Sequence, residues 1–278
     1  MTTTRRSNEH RIVAFLDGPD SLNIGNVIHS TEGAKQYGYS GALVGGVTVY
    51  GWATPAILEA LGDGWLDRGW AEIAFRHPTY PGDELMIRVE GDGAAAWSLR
   101  MTKPDGSDAV VGTLGLGDAP WLGELTLPTR VEPEPRLETL PRLTMEIAPV
   151  GQDLRPMRVS ATPEELRAYA IEKQRSQDPR FVGEQPLLHP GWIAARITPL
   201  LHHSYDYGPA IHAKSHIQHL TRPQAGGAVT VAGRFVDTYE RKGHHYGITH
   251  GLILAADGRR LAQIQHTTIY EVAKRGGA

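Results

Sequence analysis

Two stretches of the chain are apolar at almost every position. Residues 41–58 read GALVGGVTVYGWATPAIL, and residues 188–201 read LHPGWIAARITPLL. An apolar run without alternation marks a helix enclosed on all sides, and long helices are predicted over 44–61 and 191–205. Elsewhere the pattern changes to period two. Ile211, Ala213, Ser215 and Ile217 put small or apolar side chains on one parity, while His212, Lys214, His216 and Gln218 take the other. That alternation describes a strand with one buried and one wetter face. Strands are predicted at 11–16, 70–77, 84–90, 95–101 and 108–116, and again at 155–160, 210–220, 228–239, 246–255 and 260–272. Asp105-Gly106 and Asp257-Gly258 mark hairpin turns, because such turns need positive φ. A short helix is expected at 31–36. Another starts at Thr162-Pro163-Glu164-Glu165, where a capping hydroxyl precedes a first-turn proline and two acids.

The landmarks recur at one spacing. Thr54-Pro55 and Thr198-Pro199 sit inside the two apolar stretches, and 199 − 55 = 144. Gly82 and Gly226 each open a strand-like run, and 226 − 82 is again 144. The chain reads as one module written twice. Each copy would hold a strand, a loop, one long apolar helix and a meander of four strands. The boundaries expected are 1–130 and 151–278, joined by a linker over 131–150. The stretch 120–150 carries Pro120, Pro128, Pro133, Pro135, Pro141 and Pro149, a density that prevents continuous helix or central strand. The fold class is therefore α+β: two antiparallel sheets, each wrapped around one helix and set edge to edge, which removes exposed strand edges.

Composition narrows the functions. Charged residues make up 21% of the chain, hydrophobic ones 40%, and the net charge is −3. No basic tract suits nucleic acid or an anionic membrane. There is no cysteine, so disulfides, thiolate metal sites and cysteine nucleophiles are excluded. The N-terminal MTTTRRSNEHRIVAF lacks the apolar core of a signal peptide, and a cytoplasmic protein is expected. Residues 36–58 carry no formal charge but hold many glycines, and they are read as a buried helix rather than a membrane span.

The segment from Asn26 through His29 and Tyr37-Gly38-Tyr39 to Gly45-Gly46 resembles the active-site segment of the MaoC-type hydratases and dehydratases. Tyr80-Pro81-Gly82-Asp83-Glu84-Leu85 is similar to that family's strand entry. The resemblance implies a double hot-dog fold. It also implies addition of water to a 2-enoyl thioester or its removal from a 3-hydroxyacyl thioester. Asn26 and His29 match the family's Asn and His, and Gly46 matches the glycine whose N–H faces the thioester carbonyl. Ile24 stands where the catalytic Asp belongs, Val27 replaces a Pro, and Gly45 replaces a His. In the second copy His189 holds that last His position. The catalytic candidates are thus His29, Asn26, Gly46 and His189. Asp17 and Asp20, or Asp178 and Glu184 in the second half, are further sources of a carboxylate; Asp17 and Asp20 read more simply as turn residues around Gly18-Pro19.

Other readings remain open at this stage. His29 could simply bond a loop carbonyl, Asn26 could cap the short helix, and His189 could cap its own. Arg241 and Lys242, at a hairpin, could meet the phosphates of coenzyme A or phosphopantetheine carried as part of the substrate; no separate cofactor and no metal are expected. The six tryptophans read as core. An acyl-thioester substrate is the expected partner, a homodimer the assembly to test for. A non-hydrating acyl-thioester binder and a thioesterase are the alternative functions.

Overall fold

A computed structural model describes residues 6–22, 25–91 and 96–273. Its strands are β1 (Arg6–Val13), β2 (Gly69–Phe75), β3 (Glu84–Gly91), β4 (Trp97–Thr102), β5 (Asp108–Leu116), β6 (Gln152–Asp153), β7 (Met157–Ala161), β8 (Ile211–His219), β9 (Gly227–Arg241), β10 (His244–Ala255) and β11 (Arg260–Glu271). All belong to one sheet, ordered β1-β3-β4-β5-β2-β8-β11-β10-β9-β6, with β7 also pairing β9. The order is a palindrome. In each half a three-strand meander is flanked by the strand that follows the helix (β2 or β8) and by the half's opening strand (β1 or β7). The predicted four-strand meander is corrected accordingly: β2 and β8 lie beside the last strand of their meander, β5 and β11.

The halves meet where β2 pairs antiparallel with β8, and Glu72 stands opposite His216. Their separation, 216 − 72 = 144, is the repeat offset itself. A local twofold axis therefore runs through this pair, so each residue on β2 lies opposite a residue of its own duplicate strand. Glu72 reaches both His216 (3.4 Å) and Lys214 (2.8 Å) with one carboxylate oxygen. Burial raises the Glu72 carboxyl; the hydrogen bond from Lys214 and the nearby His216 outweigh it, and its net shift is downward.

The long helices are not continuous. The first comprises α2 (Gly46–Gly51) and α3 (Thr54–Leu61), and the second α7 (Pro190–Ala194) and α8 (Ile197–Ser204). The cause is shared. A helix needs the N–H of residue 55 to bond the carbonyl of Gly51, and the N–H of residue 199 to bond that of Ala195. Both donors are prolines, so each helix breaks one turn before its proline. Three other short helices are α1 (Thr31–Gln36), which coincides with the predicted span, α4 (Trp65–Arg68) and α5 (Pro163–Ala168), where Thr162 and Glu165 form the capping box. The remaining one, α6 (Pro179–Val182), precedes α7. The helices fill the concave side. α2 packs against α7 so closely that a Cβ on Gly191 would lie 3.0 Å from Gly51 Cα. Among the described residues no helix is long and apolar enough to cross a membrane.

Two strand expectations change. β1 is displaced toward the N-terminus because its register with β3 runs from Arg6 opposite Gly91 to Val13 opposite Glu84. Ala95, an expected strand start, lies outside the described residues. The parity of β8 also fails at one point. The pairing of β8 with β11 slips between Thr267, opposite Lys214, and Thr268, opposite His212. This bulge at Ala213 turns His212 from the wetter face to the helix side. The rest of that face is covered too. Residues beyond β5 cross it, with Ala119 N–H donating to Gln218 Oε1 (2.7 Å), Trp121 stacking near His216, and Thr126 N–H donating to His250 Nδ1 (2.8 Å). All six tryptophans are buried, as the core reading requires.

Candidate active site

His29 ends a single 3-10 turn (Val27–His29), and Ser30 caps α1 behind it by accepting from Gly33 N–H. Its Nδ1–H donates to Leu43 O at 2.7 Å. That carbonyl can only accept, so in the neutral ring the proton sits on Nδ1 and Nε2 keeps its lone pair. The loop-carbonyl bond and a role as base are therefore compatible. Asn26 lies 3.5 Å from Nε2 through Nδ2, a marginal contact.

The stronger bonds of Asn26 go elsewhere. Nδ2–H donates to Ala210 O at 2.7 Å, and Ala210 N–H donates to Oδ1 at 3.3 Å. Its side chain makes no cap bond to the following turn. The capping role is thus replaced by a staple between the loop before His29 and the entry to β8. Asn26→Ala should cost about 1–3 kcal/mol of stability, since Ala210 loses both partners in a buried setting. A urea midpoint that does not move would show that the loop is held without it.

Asn26, His29, Gly45 and Gly46 line one cavity of about 490 Å³ together with Phe75, Arg76, Arg196, Thr198, Ile211, His212, His244 and Tyr246. Gly45 caps α2 and Gly46 begins it. The first N–H groups of that turn have no partner within the helix. A Cβ on Gly46 would stand 2.9 Å from the Phe75 ring, which by itself accounts for glycine there. His212 is set by the bulge: it donates to or accepts from Ser215 Oγ at 2.7 Å and packs on Phe75 and His266. Burial pushes it down to about 3, so it is neutral. Arg76 is exposed at the rim.

No Asp or Glu lines this cavity among the described residues. Ile24, at the position of the family's Asp, lies outside the described residues. Asp17 is diverted, accepting from the Thr48 hydroxyl of α2 at 2.7 Å and bonding Lys173. Asp20 accepts from the Thr31 hydroxyl and N–H, both at 2.6 Å, which hold its carboxyl below the usual range.

His189 is not beside His29. It lines a separate cavity with Thr54, Pro55, Gln174, Asp178 and Phe181. The duplication explains why. The first cavity joins Gly45 to Thr198, and the second joins His189 to Thr54, each pair exchanged by the offset of 144. His189 Nδ1 accepts from Gly191 N–H at 3.1 Å and caps α7. Burial pushes it down to about 3. Asp178, the nearby carboxylate, is committed to Arg180 by a short paired contact. Glu184 offers its carbonyl to Arg167 and does not line that cavity.

Arg241 ends β9 and Lys242 follows it in the turn to β10, both exposed, with Lys242 at φ 55°. Two residues of that hairpin, His244 and Tyr246, wall the first cavity. The residues that the sequence did not single out are Phe75, Arg76, Arg196 and Tyr246, and the alternation places His212 only on the wetter face of β8. Arg196 left one sign, as the lone charge in an apolar helix.

No family model matches the sequence, and no curated protein matches it. Solved structures do resemble the fold. A MaoC-like dehydratase aligns at TM-score 0.55 and 14% identity, covering 87% of this chain and 88% of its own. A protein from Chloroflexus aurantiacus provisionally named a MaoC domain dehydratase aligns at TM-score 0.60 and 13% identity, over 88% and 86%. One from Lactobacillus plantarum provisionally named an oleoyl thioesterase aligns at 0.50 and 12%, over 99% and 98%. At such identities the likeness is one of architecture: the chain has the hot-dog fold, duplicated, in the arrangement of these MaoC-like dehydratases.

Proposed function

We propose that this chain is an acyl-thioester hydro-lyase, adding water to a 2-enoyl thioester or removing it from a 3-hydroxyacyl thioester. The observation that supports it most is the fixed tautomer of His29, whose Nδ1–H is bound to Leu43 O on the wall of a largely apolar cavity. In hydration, Nε2 takes a proton from water as the water oxygen bonds to C3. The double-bond electrons move to C2 and the thioester oxygen. The imidazolium then gives its proton to C2, and His29 returns to neutral. One group thus serves as base and then acid. The start of α2 offers its unpaired N–H groups and positive dipole end to the oxygen that gains charge. Coenzyme A or phosphopantetheine would enter as part of the substrate. Exposed Arg76 and the Arg241–Lys242 turn would supply charge for its phosphates.

One observation favours a second reading. The absence of Asp and Glu from the described cavity wall suits an acyl-thioester binder that does no hydration. The test follows enoyl absorbance and free-thiol release with 2-enoyl-CoA esters of four to ten carbons. His29→Ala should slow hydration by about a hundredfold, the size expected for a general acid–base group. His189→Ala, once shown to fold, should cost at least about tenfold less, a difference of ~1.4 kcal/mol in barrier. Hydration untouched by His29→Ala would remove His29 from the mechanism. Saturable binding without turnover would establish the binder, and thiol release without hydration a thioesterase.

A further inference from the structure

Arg196 stands between α7 and α8, on the wall of the His29 cavity. Its Nε–H donates to Trp192 O at 2.8 Å, and its guanidinium carbon lies over the Trp192 ring, 4.0 Å from the centroid. Those two contacts hold the side chain in one place. They use one of its five N–H groups and neutralise none of its charge. Most arginines that contact the core here are paired, as Arg180 is with Asp178 and Asp63, and Arg234 with Asp153. Among the described residues no carboxylate meets Arg196. Burial pulls it down to about 10, so it is still a cation at neutral pH.

Arg196 is part-buried, and a cation held there without a counter-ion costs stability. The repeat shows that the fold does not require one, because the duplicate position, 196 − 144 = 52, is Trp52, which is buried and bonded to a backbone carbonyl. The charge belongs to one cavity and not to its twin. The two free Nη groups form the planar fork that matches a carboxylate in two parallel bonds. Phosphates have exposed cations at the rim in Arg76, and in the turn that carries Arg241 and Lys242, so they need not travel inward to Arg196.

We infer that the acyl chain taken by this cavity carries an acidic terminus, a second carboxylate, which pairs with the outward-facing guanidinium nitrogens of Arg196. This rests on the reading of the cavity as an acyl-thioester site. It narrows the substrate to thioesters of dicarboxylic acids, with the thioester toward His29 and the free carboxylate toward Trp192.

Calorimetric titration compares succinyl-CoA and glutaryl-CoA with butyryl-CoA and valeryl-CoA on the wild-type chain, Arg196→Gln and Arg196→Lys. The wild type should bind the acidic esters about tenfold to a hundredfold more tightly than the neutral ones, the range for paired charge-assisted hydrogen bonds. Arg196→Gln should erase that preference and leave the neutral esters within about twofold, while Arg196→Lys should keep part of it as a point charge. Equal losses for acidic and neutral esters would overturn the inference and place Arg196 on the thioester carbonyl. A wild type without preference would overturn it as well. Free glutarate separates the two levels of the reading. If no CoA ester binds but glutarate does, and only with Arg196 present, the anion site stands and the thioester function falls. If neither binds, both fall.

Discussion

Acidification from pH 7 should strip this protein of stability before its carboxylates titrate. His189 and His219 are enclosed by the core, and burial pushes them down to about 3 and about 4 from 6.5; His212, on the cavity wall, is pushed down to about 3. His266, against His212, is lowered too, by burial and then by its neighbour. In the unfolded chain these rings bind protons as the pH falls through 6.5. In the folded chain they do not until about pH 4 or below. The unfolded state therefore binds more protons throughout that window, and stability falls with falling pH. Each such ring removes about 1.4 kcal/mol per pH unit. Between about pH 6.5 and 4.5 three of them would remove about 8 kcal/mol, comparable to a typical stability of about 5–15 kcal/mol. Urea midpoints followed by tryptophan fluorescence between pH 7.5 and 4 would show the decline. A midpoint that holds steady from pH 7 to 5 would mean that these rings are hydrated. His219 gives a control, because neither ring nitrogen has a hydrogen-bond partner. His219→Leu should flatten the slope by about one ring's share, ~1.4 kcal/mol per pH unit.

The second large effect is expected at the neighbour of that ring. Trp65 is wholly enclosed, its ring meets His219 edge-on at 4.8 Å, and its Nε1–H donates to Trp70 O at 3.3 Å. A Cβ on Gly69 would come within 2.2 Å of the Trp65 ring, so the ring lies directly on a residue that has no side chain with which to back-fill the space. Trp65→Ala should cost about 3–5 kcal/mol, since the cavity it leaves can collapse only in part. The loss is to be measured at pH 8, above the window in which the buried rings set the pH dependence. Water entering the void would also let His219 titrate closer to 6.5, so the variant's stability should depend less steeply on pH. A loss below about 1 kcal/mol at pH 8 would show that the core repacks around the gap.

Much of the architecture is legible in the chain because it follows from local rules. Thr54-Pro55 and Thr198-Pro199 reveal the repeat, and Asp105-Gly106 and Asp257-Gly258 set hairpins at Gly106 (φ 83°) and Gly258 (φ 84°). The same prolines also break the helices they were used to align, which a reading of hydrophobicity alone passes over. The site is only half legible. Asn26 and His29 stand out through the family resemblance of their segment, but the staple from Asn26 to Ala210 spans 184 residues, beyond any local signal. His212 depends on a slipped register, and nothing in His-Ala-Lys-Ser announces a bulge. His189 shares a motif position with Gly45, but the pseudo-symmetry carries it to the other cavity, since each cavity is built from the start of one helix and the break of the other.

The single strand junction between the halves also bears on synthesis. Residues 6–116 can complete five strands among themselves, leaving the outer edge of β2 bare until β8 emerges some hundred residues later. At about 5–20 residues per second that is a wait of roughly 5–20 s on the ribosome. A bare edge in a half-built sheet invites pairing with the nascent chain on the next ribosome. Glu72 sits at the middle of that edge. Until Lys214 and His216 arrive, it is an unpaired negative charge, and a second copy of β2 docking there would bring another Glu72 against it. The residue that later marks the twofold axis thus first keeps identical edges apart.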